Sequence, residues 1–560
     1  MELALNKTQV LRQKSMKVLG AKVQDAQLSL TYIAVSFATL LLGGIFGLLQ
    51  GLDRSGIMPL PSWLNYYQVL TAHGILMLLV FTTTFVIGYI YAGLSHVYGG
   101  ILPQVRRMAW IGFGLMVVGV AIVVTTVAMG DASVLYTFYP PLAASPYFYI
   151  GLVLVVLGLW SVSAGVFINY HYWRKTHRGQ PTPLFAFFAM GIFVLWFFAS
   201  IPLMIELVTL IPWSMGIVPT VNVMLNRTFF WTFGHTVVNV WYFVAVSAWY
   251  VAVPKIIGGK IFSDKLARVV VILLVILNLP GGFHHQIVDP AISTGVKYLH
   301  AFMSMSVAFP SLMTCFAMFA VFERVGRKNG GKGLLGWYKK LPWGDVRFLA
   351  PMIAMIAFIP GGAGGIINTS NQMDQVIHNT LWVVGHFHLT VAMTAVLTFF
   401  GICYWLIPYL TGRVLTPAMN KVGVIQTIVW TFGMTLMSGS QHWVGLLGDP
   451  RRTAYTTYNG SEVAASWDPY ELVMGIGAIF LLTAVIIQVC AVYHMMFRSP
   501  KGNTEFPIAE ADDIATTPMW LERWGLWILL MLLDIGMAYA VPVVDFIVNA
   551  PPGSPPIRTW

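Results

Sequence analysis

The sequence predicts an all-α polytopic membrane protein, and three observations lead to that fold class. Of the 560 residues, 57% are hydrophobic and only 9% are charged, whereas a soluble domain carries about 25% charged residues. The apolar residues form segments of roughly 20 or more, the length that crosses a bilayer as a helix. Such segments are too long for the strands of a membrane barrel. The composition excludes a disordered chain, a coiled coil and a nucleic-acid-binding protein, and it makes the lipid bilayer the main partner.

Thirteen apolar windows are long enough to span a membrane, and Gly- or Pro-containing connectors separate many of them. The predicted spans cover residues 31–52, 66–94, 106–130, 148–172, 183–211, 228–254, 267–288, 298–322, 346–362, 379–410, 422–446, 470–496 and 521–548. The polar first 25 residues lead into a full-length span, so we expect no cleavable signal peptide. Because the connectors are short, residues 1–560 are predicted to form a single transmembrane domain.

The basic residues predict the orientation. If the N-terminus lies inside, only six of the 32 Lys and Arg residues fall on the outer side: Arg54, Arg227, Lys297, Arg451, Arg452 and Arg558. Inner loops of membrane proteins are enriched in Lys and Arg. We therefore expect an inner N-terminus and an outer C-terminus, and the net charge of +11 then faces the anionic lipids of the inner leaflet.

Six of the thirteen histidines lie inside predicted spans, where polar groups are costly and tend to be functional. They are His73 in the second span, His235 in the sixth, His284 and His285 in the seventh, and His386 and His388 in the tenth. A single membrane histidine is more often an interhelical hydrogen-bonding group. The adjacent pair and the His-x-His pair favour metal ligands.

The His386/His388 pair is the most informative. Residues two positions apart on a helix are rotated by about 200°, so these side chains point to opposite sides. They cannot share a metal, but each can hold a different large planar cofactor, and imidazole is a common axial ligand of haem iron. His73 is available as a second axial ligand from another helix.

The other three histidines, His235, His284 and His285, are candidate ligands of one trigonal metal. Adjacent helix positions diverge by about 100°, so convergence of His284 and His285 requires local distortion. The Pro-Gly-Gly sequence at 280–282 precedes them and can supply it. Three imidazoles without a carboxylate suit copper or zinc better than a hard cation.

These residues and their surroundings resemble the catalytic subunit I of the haem–copper oxidase superfamily, in its B-type (ba-type) branch. The matching segments are 71–74, 134–141, 281–286, 289–290, 310–314, 359–365, 378–379, 385–388 and 450–452. The resemblance implies a subunit I-like helix bundle with two haems, one low-spin and one high-spin. It also implies one non-haem metal, with copper favoured over iron on ligand softness. The ligands do not specify the haem substituents, so haem b paired with a haem of b or a type is expected.

By resemblance, each candidate receives a role. His73 and His388 would bind the low-spin haem, and His386 would bind the high-spin haem. His235, His284 and His285 would hold the second metal on the open face of the high-spin haem. The residues expected near the haem propionates are Asp374, His378, Arg451 and Arg452, and guanidinium groups bind carboxylates well.

One departure from the family pattern concerns the substrate. B-type oxygen reductases carry a tyrosine four residues after the first metal histidine, where this chain has Asn239. That phenol supplies an electron and a proton when O2 is split, whereas coupling two NO molecules to N2O breaks no O–O bond. The pattern is similar to nitric oxide reductases derived from this branch, so we expect NO reduction without pumping, with Asn239 at the catalytic site. The alternative is an O2-reducing, proton-translocating cytochrome c oxidase in which Asn239 is structural and Tyr242 replaces the phenol.

Hydroxyl residues of the expected inner-side proton route are partly retained. By resemblance, Ser263, Tyr250, Ser311 and Thr314 occupy route positions, whereas Val246 and Ala317 replace a tyrosine and a threonine. Such a broken chain suits an enzyme that does not pump protons along this path, unless water fills the gaps.

Electrons must come from outside the chain. The three cysteines (Cys315, Cys403 and Cys490) lie in separate apolar segments and cannot pair at a dinuclear copper centre. A second subunit carrying such a centre and an external donor such as cytochrome c are therefore expected, in a bacterial or archaeal cell membrane. A secondary transporter would share the composition, but we find no internal repeat, and a transporter gives no reason for Gly-His-Phe-His.

Overall fold

The computed structural model describes residues 2–454 and 456–559, with side chains from residue 22 onward. In this part of the chain, thirteen helices are long and apolar enough to cross a membrane. They are α1 (Glu2–Arg54, apolar from Lys22), α2 (Tyr66–Tyr98), α3 (Pro103–Ala128), α4 (Pro146–Thr176), α5 (Leu184–Ser214), α6 (Val223–Ile256), α7 (Asp264–Gln286), α8 (Thr294–Lys328), α9 (Val346–Thr369), α10 (Leu381–Thr411), α11 (Pro417–Leu446), α12 (Asp468–Phe497) and α13 (Trp524–Val548). Each predicted span overlaps one of these helices, so the all-α polytopic fold class is confirmed.

Two helices differ from the prediction in an instructive way. The predicted ninth span ends at residue 362, but α9 continues to Thr369, because its polar end is buried against other helices and does not face lipid. The eighth span is predicted as continuous, whereas α8 is interrupted at Val307 between Thr294–Ser306 and Ala308–Lys328. Pro310 lies in the first turn of the second piece, where its missing N–H costs no helical hydrogen bond.

Small residues bring neighbouring helices into close contact. Where α3 crosses α4, a Cβ added to Gly119 would lie only 2.4 Å from the Gly151 carbonyl oxygen. A Cβ on Gly112 would likewise lie 2.8 Å from the Gly158 carbonyl. Glycine at such crossings lets helix backbones approach closely in a membrane.

The histidine-bearing helices are the central ones. In the most apolar window, 89% of the residues of α6 and of α10 are buried within the protein, against 28% for α13. The second helix, α2, is 83% buried in its window. The candidate ligands therefore lie in the interior of the bundle rather than on its lipid-facing surface.

Helical geometry changes in three of the four histidine-bearing helices, α2, α7 and α10. A π-helical segment, Ile75–Phe81, follows directly after His73 and Gly74 in α2. Another, His388–Val396, begins at the second histidine of α10. The last eight residues of α7, Leu279–Gln286, form a 3₁₀ helix. Interruptions of this kind inside longer helices often mark functional sites.

The described residues also contain two short strands, β1 (Leu142–Ala143) and β2 (Ile557–Arg558). They pair in parallel, with Leu142 opposite Ile557. This pair ties the last described residues to the α3–α4 connection.

Candidate haem and metal sites

The structure brings three of the predicted histidines together. His235 of α6 faces His284 and His285 of α7, with ring centroids 4.6 and 5.7 Å away, and the adjacent pair is 4.2 Å apart. Each residue offers one ligand atom, and these atoms all lie within 4.8 Å of one another. The distortion expected from the Pro-Gly-Gly sequence is the 3₁₀ segment that begins at Leu279.

Glycine is required on the approach to this trio. A Cβ on Gly281 would lie 2.9 Å from His235 Nε2. A Cβ on Gly282 would lie 2.5 Å from the hydroxyl of Tyr539 in α13. Larger residues at either position would push α7 away from α6 and separate the imidazoles.

Two neighbours orient the trio. Ser304 of α8 donates a hydrogen bond to the Gly281 carbonyl (2.9 Å), and its Oγ lies 3.0 Å from His284 Nδ1. The serine lone pair therefore accepts the Nδ1 proton, which leaves Nε2 of His284 free for a metal. The indole of Trp231 stacks on the His285 ring, with centroids 4.0 Å apart and an angle of 13°.

The donor set fits a borderline metal. It consists of three imidazoles, of which His235 and His284 are buried, in apolar surroundings. Neutral imidazoles suit copper, zinc or iron, whereas hard cations prefer oxygen ligands. The partners that orient metal-binding histidines also contribute to affinity.

We expect Ser304→Ala to weaken metal retention about 10- to 100-fold, the usual cost of losing a partner that orients a ligand. Metal content measured during titration with a chelator reports this directly. Ser306→Ala is the matched control, because the Ser306 hydroxyl bonds to the Met303 carbonyl, three residues earlier in its own helix. Equal metal retention in both variants would contradict the role of Ser304.

His73 and His388 line one cavity between α1, α2, α10, α11 and α12. His73 Nδ1 lies 2.8 Å from the Gly43 carbonyl oxygen, and His388 Nδ1 lies 2.9 Å from that of Val384. Both Nδ1 atoms are therefore donors, and both Nε2 atoms remain free to bind a metal. A largely apolar cavity with an imidazole from each of two helices fits a haem with two axial ligands.

His386 turns to the other side of α10. A Cβ on Gly364 of α9 would lie 2.6 Å from its Nδ1, so the imidazole packs against the glycine-rich part of that helix. His386 lies near His235 and His284 of the trio. The predicted divergence of His386 and His388 thus agrees with the structure, and His386 is the member of the pair on the side of the trio.

The four residues predicted near the propionates form a polar cluster with Asn379 at the outer end of the site. Asp374 is hydrogen-bonded to His378 Nδ1 at 2.8 Å, and Arg451 donates to the Asn379 side-chain oxygen at 2.9 Å. Burial raises the pKa of Asp374, although the hydrogen bond from His378 opposes the shift. Burial, together with the charge of Arg452, lowers the pKa of Arg451 to about 10.

Arg452 contacts two phenols. It donates to the hydroxyl of Tyr139 at 3.0 Å and to that of Tyr136 at 3.4 Å. Burial raises the pKa of Tyr139, but the charges of Arg452, Arg227 and Arg451 outweigh this and lower it to about 8. Among the described residues, neither Arg451 nor Arg452 forms an ion pair with a carboxylate, and Nε of Arg452 is buried without a partner. Two adjacent cations, of which Arg451 is buried and Arg452 partly buried, that form no ion pair with a carboxylate in the described part of the chain fit the carboxylates of a haem.

Arg54 holds the loop that carries this arginine pair. The sequence predicts it only as an outer charge. It bonds to Asp449 (2.5 Å), to Glu471 of α12 (3.2 Å) and to the Pro450 carbonyl (2.9 Å). The sequence alone does not reveal this arrangement, because Arg54 and Asp449 are 395 residues apart. Trp231 could have been identified from the sequence, since it lies one helical turn before His235 on the same face.

The remaining predicted residues are distributed along α6, α7 and α8. The Asn239 amide nitrogen lies 3.4 Å from His235 Nε2 and donates to the His235 carbonyl at 3.0 Å. The hydroxyl of Tyr250 is buried without a hydrogen-bond partner. Ser311 and Thr314 donate to carbonyls of their own helix, those of Val307 (3.0 Å) and Pro310 (2.8 Å). Ser263 caps the start of α7 and donates to Asp513 at 2.7 Å, so its hydrogen bonds lie at the helix end.

Fold and site together define a helical membrane protein with places for two haems and a third metal in its interior. The chain matches the family model described as Cytochrome C and Quinol oxidase polypeptide I over residues 27–480. It is 35% identical to cytochrome c oxidase subunit 1 of Thermus thermophilus over 554 residues, which are 96% of this chain and 97% of that relative. The chain therefore belongs to the haem–copper oxidase subunit I family.

Two further comparisons agree. The haem–copper oxidase subunit I+III of Aeropyrum pernix is 24% identical over 86% of this chain and 57% of that relative. A haem–copper terminal oxidase dimer solved by electron cryomicroscopy superposes with a TM-score of 0.89 at 31% identity, covering 95% of both chains. Family membership confirms the predicted oxidoreductase class, the two haems with a third metal, and the multi-pass membrane location.

Proposed function

We propose that this chain is the catalytic subunit of a B-type cytochrome c oxidase, which reduces O2 with four electrons and four protons to two molecules of water. The observation that carries the proposal is the trio of His235, His284 and His285 on the same side of α10 as His386. The Thermus thermophilus relative, which matches along nearly its whole length, is named a cytochrome c oxidase subunit, and this supports O2 as the substrate.

In this proposal each polar group has one task. His73 and His388 hold the low-spin haem, His386 holds the high-spin haem, and the trio holds the second metal, with copper favoured over iron. When bound, the haems and the third metal would supply the electron-transfer chemistry that reduces the gas. The propionates bind at the outer cluster of Asp374, His378, Arg451 and Arg452, where the arginines neutralise their charge.

The electrons enter from a partner in this proposal. The described cysteines, Cys315, Cys403 and Cys490, are all free and lie apart, so they do not supply a dinuclear copper centre. A second subunit with such a centre, receiving electrons from cytochrome c on the outer side, completes the chain of transfer. Residues 1–560 act as one domain, with the N-terminus inside and the C-terminus outside.

A second candidate reaction is the reduction of two NO molecules, with two electrons and two protons, to N2O and water. Asn239 favours it, because an amide beside His235 Nε2 replaces the phenol expected at this position. An amide can be neither oxidised nor deprotonated at neutral pH, whereas O–O cleavage draws on such a donor. In that case the substrate is NO and no pumping is expected.

Turnover of both gases with one preparation and one electron donor separates these reactions. We expect O2 uptake to water to exceed anaerobic N2O formation by at least about tenfold, a difference of about 1.4 kcal/mol in activation free energy. Rapid N2O formation with negligible O2 uptake would show that the substrate is NO and not O2. In that case Asn239→Tyr should raise O2 turnover. A purified protein without a haem absorption band would contradict both reactions.

A further inference from the structure

A histidine behind the trio has no task in the proposed reaction. His300 lies in the first piece of α8 and is buried, with 1% of the residue exposed. Its Nε2 lies 2.8 Å from the carbonyl oxygen of Ala538 in α13. A carbonyl oxygen only accepts, so Nε2 carries the proton and His300 is the donor. Because an imidazole inside a membrane bundle is costly, this bond is expected to have a role.

The acceptor is available because of a proline. In an α-helix the Ala538 carbonyl would accept from the N–H of the residue four positions on. That residue is Pro542, inside α13, and proline has no N–H. The Ala538 carbonyl therefore lacks its helical donor within the membrane, where an unpaired carbonyl is costly. His300 supplies the missing donor from another helix and so joins α8 to α13.

The aromatic rings around His300 connect it to the segment that carries two of the metal ligands. The Phe283 and His300 rings meet edge to face, with centroids 4.3 Å apart. Phe283 also stacks on Tyr539 of α13, with centroids 5.2 Å apart and an angle of 28°. The Tyr539 hydroxyl donates to the Leu279 carbonyl at 3.3 Å, where the 3₁₀ segment begins. Since Phe283 directly precedes His284, the position of α13 affects the position of the trio.

The same face of α8 contacts this segment a second time. Ser304 comes four residues after His300, so both side chains project from one face of the helix. Ser304 bonds to the Gly281 carbonyl at 2.9 Å, and its Oγ lies 3.0 Å from His284 Nδ1. Helix α8 therefore holds the 3₁₀ segment directly through Ser304 and also through α13, by way of His300.

We propose that His300 is a positioning residue for the metal trio, and that it acts by supplying the donor that Pro542 removes from α13. With this bond in place, Tyr539 and Phe283 hold the 3₁₀ segment of α7 against α6, and the three imidazoles face one another. Without it, α13 separates from α8 and the trio binds its metal less tightly. The inference rests on the proposed function only in that the trio holds a metal, which both candidate reactions require.

The first test removes the donor. Metal content of the holoenzyme is measured during titration with a chelator, and the infrared band of carbon monoxide bound to the reduced enzyme is recorded beside it. We expect His300→Leu to weaken metal retention at least about tenfold, the lower end of the cost of losing a residue that orients a ligand, and to shift or broaden the band. His300→Gln, whose amide can donate to the same carbonyl, should restore most of the retention. A merely structural role would lower the melting temperature and leave metal retention and the band unchanged, and that result would overturn the proposal.

The second test restores the backbone donor. Pro542→Ala returns an N–H to residue 542, so the Ala538 carbonyl regains its helical hydrogen bond and no longer depends on His300. In this background His300→Leu should have much less effect than in the wild-type chain, the coupling expected of two groups that serve one acceptor. Equal loss of metal in both backgrounds would overturn the proposal. If His300→Leu alone did not fold, wild-type metal retention in the double variant would support the proposal, and loss of the metal there would overturn it.

Tyr91→Phe is the matched control for losing one buried bond to a carbonyl. Tyr91 of α2 is buried, and its hydroxyl donates to the Val162 carbonyl at 2.9 Å. Equal loss of metal in Tyr91→Phe and His300→Leu would overturn the specific role of His300. If the wild-type enzyme turned over neither gas, the proposed function would fail. The comparison of metal retention uses no gas and would still decide the role of His300.

Discussion

His388→Ala is expected to remove the low-spin haem and to reduce turnover by more than about 100-fold. Losing a residue that only orients a ligand costs about 10- to 100-fold, and the loss of the ligand itself should cost more. The imidazole has no substitute in the cavity it shares with His73, whose Nδ1 is already engaged by the Gly43 carbonyl. The reduced-minus-oxidised spectrum should lose its low-spin band, while CO binding at the other haem persists.

His386→Ala should have the opposite spectral effect. The low-spin band should remain and CO binding should be lost, because His386 lies on the other side of α10, against Gly364. His177→Ala, at the end of α4 and stacked on Trp173, is the control for histidine loss as such. Loss of the same band in both α10 variants would show that the two histidines serve one haem.

Arg268→Leu is expected to lower the free energy of unfolding by about 3–5 kcal/mol, the cost of leaving a buried charge without its partner. Arg268 is fully buried and bonds to Asp264 (2.7 Å), to Glu522 (2.7 Å) and to the Thr182 carbonyl (2.5 Å). Its removal leaves the buried carboxylate of Asp264 without a cation at the start of α7, the helix that carries His284 and His285, and leaves Glu522 with only Arg174 at 4.0 Å. Unfolding in detergent, followed by loss of haem absorbance, measures the effect.

The exposed pair Arg327–Glu323 provides the comparison. Its side chains are 44% and 46% exposed, and the two residues are spaced by four on α8. Arg327→Leu should cost at most about 1 kcal/mol, since water solvates both charges and screens their attraction. If Arg268→Leu cost no more than Arg327→Leu, the buried cluster would have no role in holding α7.

The sequence predicted the ligand histidines better than it predicted the residues that orient them. His386 and His388 diverge because of the pitch of a single helix, so local geometry alone was enough to separate them. The convergence of His284 and His285 was predicted only as a requirement, and the 3₁₀ segment met it. Ser304 was missed, because its bond to His284 depends on where α8 crosses α7.

The same division holds for other residues. Tyr242 was noted as sharing a helical face with His235, which follows from a spacing of seven. The bond between Arg54 and Asp449 could not be read from the chain, since the two residues are 395 positions apart.

By itself, the sequence determined the thirteen helices and the six intramembrane histidines, because hydropathy and helical spacing are local properties of the chain, and its motifs resembled those of the family. Only the tertiary structure decided which side chains meet, such as the three histidines of the trio and the arginine pair with its neutral partners. The physical reason is that these contacts depend on the rotation and crossing of helices far apart in sequence, and packing of the whole bundle determines both.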